Sequence, residues 1–231
     1  MRLAIMQPYF MPYIGYFQLI AAVDKFVVFD DVNYIKGGWI NRNKILNNGV
    51  GKLFTIKLAK AKSNILINTI DILDNFQDFK KTIRQNYSKA PYFTNVYPII
   101  EHVLGFETNN LALFNMNSLE IICKQLNIKT EFILSSTLLK DNSLRGQEKI
   151  LQICDLLKAD NYINSIGGTD LYDTIAFGNK GIQLCFLKPS LVEYKQFNFQ
   201  FVPWLSIIDI LMFNSIDNVK KYLDDYSIVK K

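Results

Sequence analysis

Four stretches of the chain carry residue types that could do chemistry. Gln7, Tyr9, Tyr13 and Tyr16 lie in Gln7-Pro-Tyr-Phe-Met-Pro-Tyr-Ile-Gly-Tyr16, where an amide and phenols can hydrogen-bond phosphate or sugar oxygens without carrying charge. Asp30 and Asp31 follow an apolar run; acidic residues there can hold ribose hydroxyls, orient an amine or take its proton. Lys36, Arg42 and Lys44 are interleaved with Gly37, Gly38, Trp39, Asn41 and Asn43. A guanidinium fork and an ammonium beside an indole would suit a diphosphate with a ring against the indole. Ser165-Ile-Gly167-Gly168 offers backbone N–H groups to an anion, and Lys140, Ser143 and Arg145 could close over phosphates.

Each stretch has a plainer reading. Tyr13 and Tyr16 can be the buried face of a helix, with Gly15 allowing close packing. The acidic pair can mark a loop entry, and the basic residues can be solvated hairpin charges, a composition that would also suit RNA. The Gly-Gly loop lacks both Gly-Lys-Ser/Thr and G-x-G-x-x-G, so it is neither a Walker loop nor a dinucleotide fingerprint. His102 is the one histidine, which removes His-rich zinc sites and His dyads, and no metal site is expected. No G-x-S-x-G elbow is present.

The elements that would position these residues are legible from periodicity. Arg2 to Met6 and Lys25 to Phe29 are short apolar runs flanking a helical pattern of Tyr13, Tyr16, Phe17, Ile20 and Val23. Strand–helix–strand with one short helix implies parallel strands and a right-handed crossover, with ligands at the carboxyl ends. Asn47-Asn48-Gly49 is a hairpin signal; Lys52 to Ala59 alternates, and Ile65 to Ile72 reads as a further short strand. Residues 33–73 are therefore predicted to be a β insertion. Residues 74–128 are predicted to be a helical subdomain, with helices from Asn75 to Tyr87, from Pro91 through Leu104, and from Asn109 or Asn110 to Leu126. Strands are predicted at Glu131–Leu134, Asn161–Asn164 and Ile182–Leu187, and helices at Leu144–Leu157, near Tyr172, after Ser206 and from Asp217. The expected fold class is α/β: a single domain over residues 1–231, with a Rossmann-like parallel sheet, a β-hairpin insertion and a helical subdomain.

Composition sets outer bounds. A hydrophobic fraction of 49% with 13% aromatic residues supplies a real core and excludes a disordered chain. The 26 basic and 21 acidic residues are mixed, giving +5 without a Lys/Arg block, so no nucleic-acid partner is expected. Cys123, Cys154 and Cys185 are odd in number and set in apolar stretches, which reads as buried free thiols in a reducing compartment. No signal segment or bilayer-length apolar run is visible, so a cytoplasmic location is expected.

Ala4-Ile-Met-Gln-Pro-Tyr-Phe-Met-Pro-Tyr-Ile-Gly-Tyr-Phe17, Asp30-Asp-Val-Asn-Tyr-Ile-Lys36, Trp39-Ile-Asn-Arg-Asn43, Ser165-Ile-Gly-Gly168 and Leu205-Ser-Ile-Ile-Asp209 resemble the WbqC-like family over nearly the whole chain. Some members carry Trp where this chain has Tyr13. The family is encoded among bacterial O-antigen and polysaccharide genes, and a glycine-transferase role has been suggested for it. The resemblance implies a transferase of O-antigen or lipopolysaccharide biosynthesis that N-acylates a nucleotide-linked amino sugar with a glycyl or other aminoacyl group. It would use Asp30 or Asp31 for the amine proton, Lys36 and Arg42 for the diphosphate, Trp39 for the sugar and the Gly167-Gly168 loop for the donor. The activated acyl donor is left open. An ATP-derived acyl-adenylate would suit the Tyr13-x-Gly15-Tyr16 spacing, which resembles the His-x-Gly-His of nucleotidylyltransferase-type folds, but the missing histidines argue against it. An ATP-dependent ligase or nucleotidyl-type transferase, and a non-catalytic nucleotide-sugar-binding accessory protein, remain the alternatives.

Overall fold

The computed structural model describes residues 1–231, and its architecture grows from the opening strand–helix–strand unit. Strand β1 (Arg2–Met6) leads through a polar loop into helix α1 (Ile14–Ala21), which returns the chain to β2 (Lys25–Val28). The strands pair in parallel, Leu3 opposite Lys25 and Met6 opposite Val28. An antiparallel hairpin follows, β3 (Arg42–Asn47) and β4 (Val50–Thr55). Its turn sits where the sequence predicts it, with Asn48 at φ +48° and Gly49 at φ +79°, the left-handed pair a tight two-residue hairpin requires.

Helices α2 (Gln77–Tyr87), α3 (Phe93–Leu104) and α4 (Leu111–Gln125) come next. The Asn110 side chain caps α4 by accepting from the Leu113 N–H. The remaining elements are β5 (Glu131–Leu134), α5 (Gly146–Leu156), β6 (Asn161–Ser165), α6 (Thr174–Gly178), β7 (Gln183–Pro189), α7 (Ile207–Phe213), α8 (Ile216–Tyr222) and β8 (Tyr226–Lys230).

Six strands form the main sheet in the order β5-β2-β1-β6-β7-β8, all parallel except β8. Counted along this sheet alone, the order is third, second, first, fourth, fifth, sixth. That is a doubly wound, Rossmann-like arrangement whose direction of winding reverses between β1 and β6. Alternation within β1 divides the core. Ala4 belongs to the larger cluster, which also takes in α1, α2–α4 and the hairpin, while Leu3 and Ile5 face a smaller cluster with α5 and α6.

Three details differ from the sequence expectations. Ile65–Ile72 is a strap with a short 3-10 turn at Ile67–Thr69 and isolated bridges, because its polar groups are drawn to Asp30 and Val32 rather than to a neighbouring strand. The last helix opens at Ile216, one residue earlier than Asp217, since Ser215 Oγ accepts from the Asn218 N–H and makes Ser215 the cap. Strand β8 is an edge strand exposed along most of its length, so it lacks the buried alternation that would announce it. The three cysteines are buried and unpaired. No helix is long and apolar enough to cross a membrane.

Candidate functional site

The carboxyl ends of β2, β1, β6 and β7 open onto one cleft. Three cavities adjoin along it, sharing walls. Beneath the end of β2, a cavity of about 310 Å³ is lined by Gln7, Phe29, Asp31, Arg145 and Lys149 among others. It shares Gln7, Phe29, Ile35 and Gly146 with a central cavity of about 500 Å³, which lies at the reversal point between β1 and β6. Tyr9 is the wall between that cavity and a third, of about 440 Å³, reaching over the end of β7. Ligands of doubly wound sheets bind at this kind of reversal point.

The central cavity sets polar groups among apolar walls. Ser165, Gly167 and Gly168 follow β6 and begin a 3-10 turn, and the first residues of α5, Gly146 and Gln147, face them. No side chain caps α5, leaving its first N–H groups open, and Gly146 holds φ +51°. Asn164 is fixed from two sides: its Nδ2 donates to the hydroxyls of Tyr162 (2.8 Å) and Tyr172 (2.9 Å), and its Oδ1 accepts from the Ser165 N–H. A Cβ on Gly168 would stand 3.2 Å from that Oδ1, so the loop is tight around the amide.

The third cavity is aromatic, walled by Tyr9, Tyr13, Trp39, Trp204, Pro12 and Pro189, with Lys188 as its one charged side chain. Tyr13 braces Trp204 edge-on, with centroids 5.9 Å apart and planes at 79°. Arg42 braces Trp39, its guanidinium carbon 5.8 Å from the ring centroid. Arg42 Nε donates to the Gly38 carbonyl at 2.9 Å and the same guanidinium donates to Gly37, so it fastens the glycine turn that carries Trp39.

The geometry gives other expected site residues different duties from those expected, and Tyr16, Asn41 and Lys36 lie outside the cleft walls. Tyr16 is buried and donates to the Gln7 carbonyl at 2.6 Å, which shapes the loop instead of meeting a phosphate. Asn41 bridges the Tyr34 hydroxyl (2.7 Å) and the Ile56 carbonyl (2.9 Å). Asn43 touches the aromatic cavity, but its amide donates to Met11 at 2.8 Å and its Oδ1 accepts from the Lys44 N–H. Lys36 is exposed away from these walls.

The acidic pair is divided. Asp30 is 2% exposed; its carboxylate accepts from the Ser136 N–H (2.9 Å) and Asn68 Nδ2 (3.2 Å), anchoring the strap. Asp31 Oδ2 lies 2.8 Å from Lys140 Nζ and 3.1 Å from Lys149 Nζ, both lysines being buried. Burial alone would raise the Asp31 pKa, but the two lysine ammonium groups outweigh it and hold the carboxyl below its ordinary value. A carboxylate held so strongly in its charged form is a weak proton acceptor. Across the three cavities the charged walls are Arg145, Lys149 and Lys188 against this single paired carboxylate. The cleft therefore favours an anionic ligand.

The model of the WbqC-like protein family matches residues 7–221, a span that contains every wall of the cleft except Ile5 and Met6. The chain belongs to the WbqC-like family. A relative described as "Uncharacterized protein Rv1507c", from Mycobacterium tuberculosis (strain ATCC 25618 / H37Rv), is 29% identical over 215 residues, covering 91% of this chain and 92% of that protein. No solved structure matches.

Sequence reading of this WbqC-like protein missed Trp204, Lys188, Asn164 and Tyr172. Trp204 sits in an irregular stretch between β7 and α7 with no periodicity, and its one signal was its place beside Leu205-Ser-Ile-Ile-Asp209. It holds φ +58°, where a side chain with a Cβ is strained. Glycine relieves that strain, so Trp204→Gly should be more stable than Trp204→Ala by about 1 kcal/mol in urea unfolding, both having lost the indole. Equal midpoints would mean that the backbone there relaxes without cost.

Proposed function

We propose that this WbqC-like protein is a transferase of bacterial surface-polysaccharide biosynthesis that N-acylates a nucleotide-linked amino sugar. One observation carries the reading: a cation-walled cleft in three adjoining compartments lies at the reversal point of a Rossmann-like sheet. A nucleoside diphosphate sugar likewise has three parts, a nucleoside, a charged bridge and a sugar. In the transfer, the sugar amine attacks the carbonyl carbon of an activated acyl donor. A C–N bond forms, the bond to the leaving group breaks with its electron pair, and the amine's proton passes to the departing group. Gln7, Gln147 and Ser165 would orient the sugar. The N–H groups of the Gly167-Gly168 turn would receive the diphosphate, with Lys188 on the side of the aromatic cavity.

A non-catalytic sugar-nucleotide-binding protein is the second reading, favoured by the fact that both carboxylates are engaged by protein partners. Turnover separates the two: given an amino-sugar nucleotide and an activated aminoacyl donor, a transferase releases the N-acylated sugar nucleotide, whereas a binding protein holds the sugar nucleotide and returns it unchanged.

The first test is a thermal-shift and calorimetric screen with UDP- and dTDP-linked amino sugars, plain nucleotides, ATP and short RNA. A ligand at 100 times its dissociation constant stabilises by about 2.7 kcal/mol. Binding of an amino-sugar nucleotide supports the proposal. Binding of ATP alone redirects it to a ligase, and steeply salt-dependent RNA binding or no binding at all overturns it. Arg42→Ala adds a discriminating control. If Arg42 braces Trp39, the variant weakens binding equally at low and high salt; if it clamps phosphate, the loss shrinks as salt rises.

A further inference from the structure

We infer that the aromatic cavity is the nucleobase pocket of the cleft, with Trp39 and Trp204 as its stacking faces, and that the sugar lies in the central cavity. This rests on the sugar-nucleotide reading and fixes the direction in which such a ligand lies.

The inference begins from two large side chains that folding leaves uncovered. Trp39 is 41% exposed and Trp204 52% exposed, yet both line the same cavity of about 440 Å³. They come from different loops, and each loop is held in place. Arg42 fixes the Trp39 turn through Gly37 and Gly38. The Trp204 loop is fastened just beyond the indole: Ser206 Oγ donates to the Met11 carbonyl at 2.7 Å, and the Ile207 N–H donates to Pro12 at 2.8 Å. Two prepositioned indoles lose little entropy when a planar ring meets them.

Polar groups decide which ring. The amide of Asn43 is engaged on both sides, so the free polar side-chain groups of this cavity are Lys188 and the phenols of Tyr9 and Tyr13. A pyranose enclosed there would leave several hydroxyls unpaired, each at a substantial desolvation penalty. A nucleobase presents two π faces and one polar edge, which matches indole walls with one cation at the rim. The central cavity offers more free polar groups: the Gln7 amide, the Ser165 hydroxyl and the Gln147 NH₂, whose Oε1 accepts from the Asp173 N–H. Hydroxyls and an amine can be paired there.

The chain has two tryptophans and both line this cavity, so emission excited beyond the tyrosine absorption band reports on it. The experiment titrates Trp39→Phe and Trp204→Phe, each leaving one reporter, with uridine, thymidine, guanosine and cytidine 5′-monophosphates, with free glucosamine, and with UDP- and dTDP-linked amino sugars. Calorimetry on the unaltered protein runs in parallel. A nucleoside monophosphate should change the emission of both single-tryptophan proteins, and glucosamine should change neither. Trp39→Ala and Trp204→Ala should each weaken nucleotide affinity about 5- to 150-fold, the range that loss of one stacking face spans.

An emission change with glucosamine and none with nucleotides would overturn the inference by reversing the ligand. Calorimetric binding of a sugar nucleotide with both indoles silent would overturn it and leave the proposed function standing. Quenching by nucleotides with no gain in affinity from the attached sugar would support the pocket while refuting the sugar-nucleotide function. Silence in every arm refutes both.

Discussion

Asp209→Asn should lower the free energy of unfolding by about 1–3 kcal/mol, the usual penalty for leaving a buried donor without its acceptor. Asp209 is 0% exposed and has no cation beside it. Three donors satisfy it instead: the Tyr87 hydroxyl at 2.7 Å, the Tyr194 hydroxyl at 2.8 Å and Gln196 Nε2 at 2.7 Å. Tyr87 in turn accepts from the Leu46 N–H at 2.7 Å, and Gln196 closes a loop onto Val202 through both its amide atoms. One carboxylate thus joins α2, the hairpin, the loop before α7 and α7 itself. An asparagine would turn an NH₂ group toward donors, leaving at least one pair in conflict. Urea unfolding measures the loss, and a change below 1 kcal/mol would mean that the neighbours re-pair without it.

The same group sets a pH dependence. Burial raises the Asp209 pKa, and its three hydrogen bonds reduce the rise without cancelling it. The folded state then binds more protons than the unfolded state between the ordinary carboxylate value and the raised one. Stability should fall as pH rises through that window and level off above it, and Asp209→Asn should abolish the slope. Asp31 acts with the opposite sign. Its lowered pKa gives stability that is full above the ordinary carboxylate value and is lost as pH falls through the lowered one.

Gly15→Ala should disrupt the cleft although Gly15 is not one of its walls. A Cβ at Gly15 would lie 2.4 and 2.6 Å from two atoms of the Tyr13 ring and 2.7 Å from Pro189 Cγ. Both neighbours are walls of the aromatic cavity, and Tyr13 is the brace of Trp204. Proline on a strand end cannot swing aside, so the Tyr13 ring must leave and release the indole. We expect about 1–3 kcal/mol of destabilisation from overpacking and at least a tenfold (about 1.4 kcal/mol) loss of nucleotide affinity. Unchanged binding in the alanine variant would sink this account of Gly15. The crowding also limits the likeness to His-x-Gly-His helices. In this chain the space above the glycine is filled by the preceding tyrosine, so a nucleotide cannot rest directly on the start of α1.

What could be read from the sequence follows from the range of the forces involved. The Tyr13–Val23 periodicity, the Asn48-Gly49 turn and the Ser206 cap are local, and each appears in the structure near its expected place. So does the arrival of Gln7, Tyr9, Ser165 and Gly168 at strand ends, because alternating strands and helices in this order admit few topologies. The duties of Asp30 and Asp31 were not legible, since they depend on Asn68, Ser136, Lys140 and Lys149, brought close only by the tertiary fold. Arg42 misled for a related reason. Beside Trp39 and two glycines its type suggests a phosphate, whereas its fork closes on the carbonyls of that same turn.

The reversal of winding between β1 and β6 also governs how the protein is made. β1 and β2 leave the ribosome well before β6 and can pair at once, but the other edge of β1 belongs to β6, with Leu3 opposite Tyr162. Met1 meets its own partner, Asp160, across a separation of 159 residues. At about 5–20 residues per second, that edge stays open for about 8–30 s during synthesis. An unpaired apolar edge is a template for wrong pairing, so chains that stall before β6 should be captured by holdase chaperones or aggregate. The cleft, walled by both ends of the chain, completes only after nearly all of it has emerged.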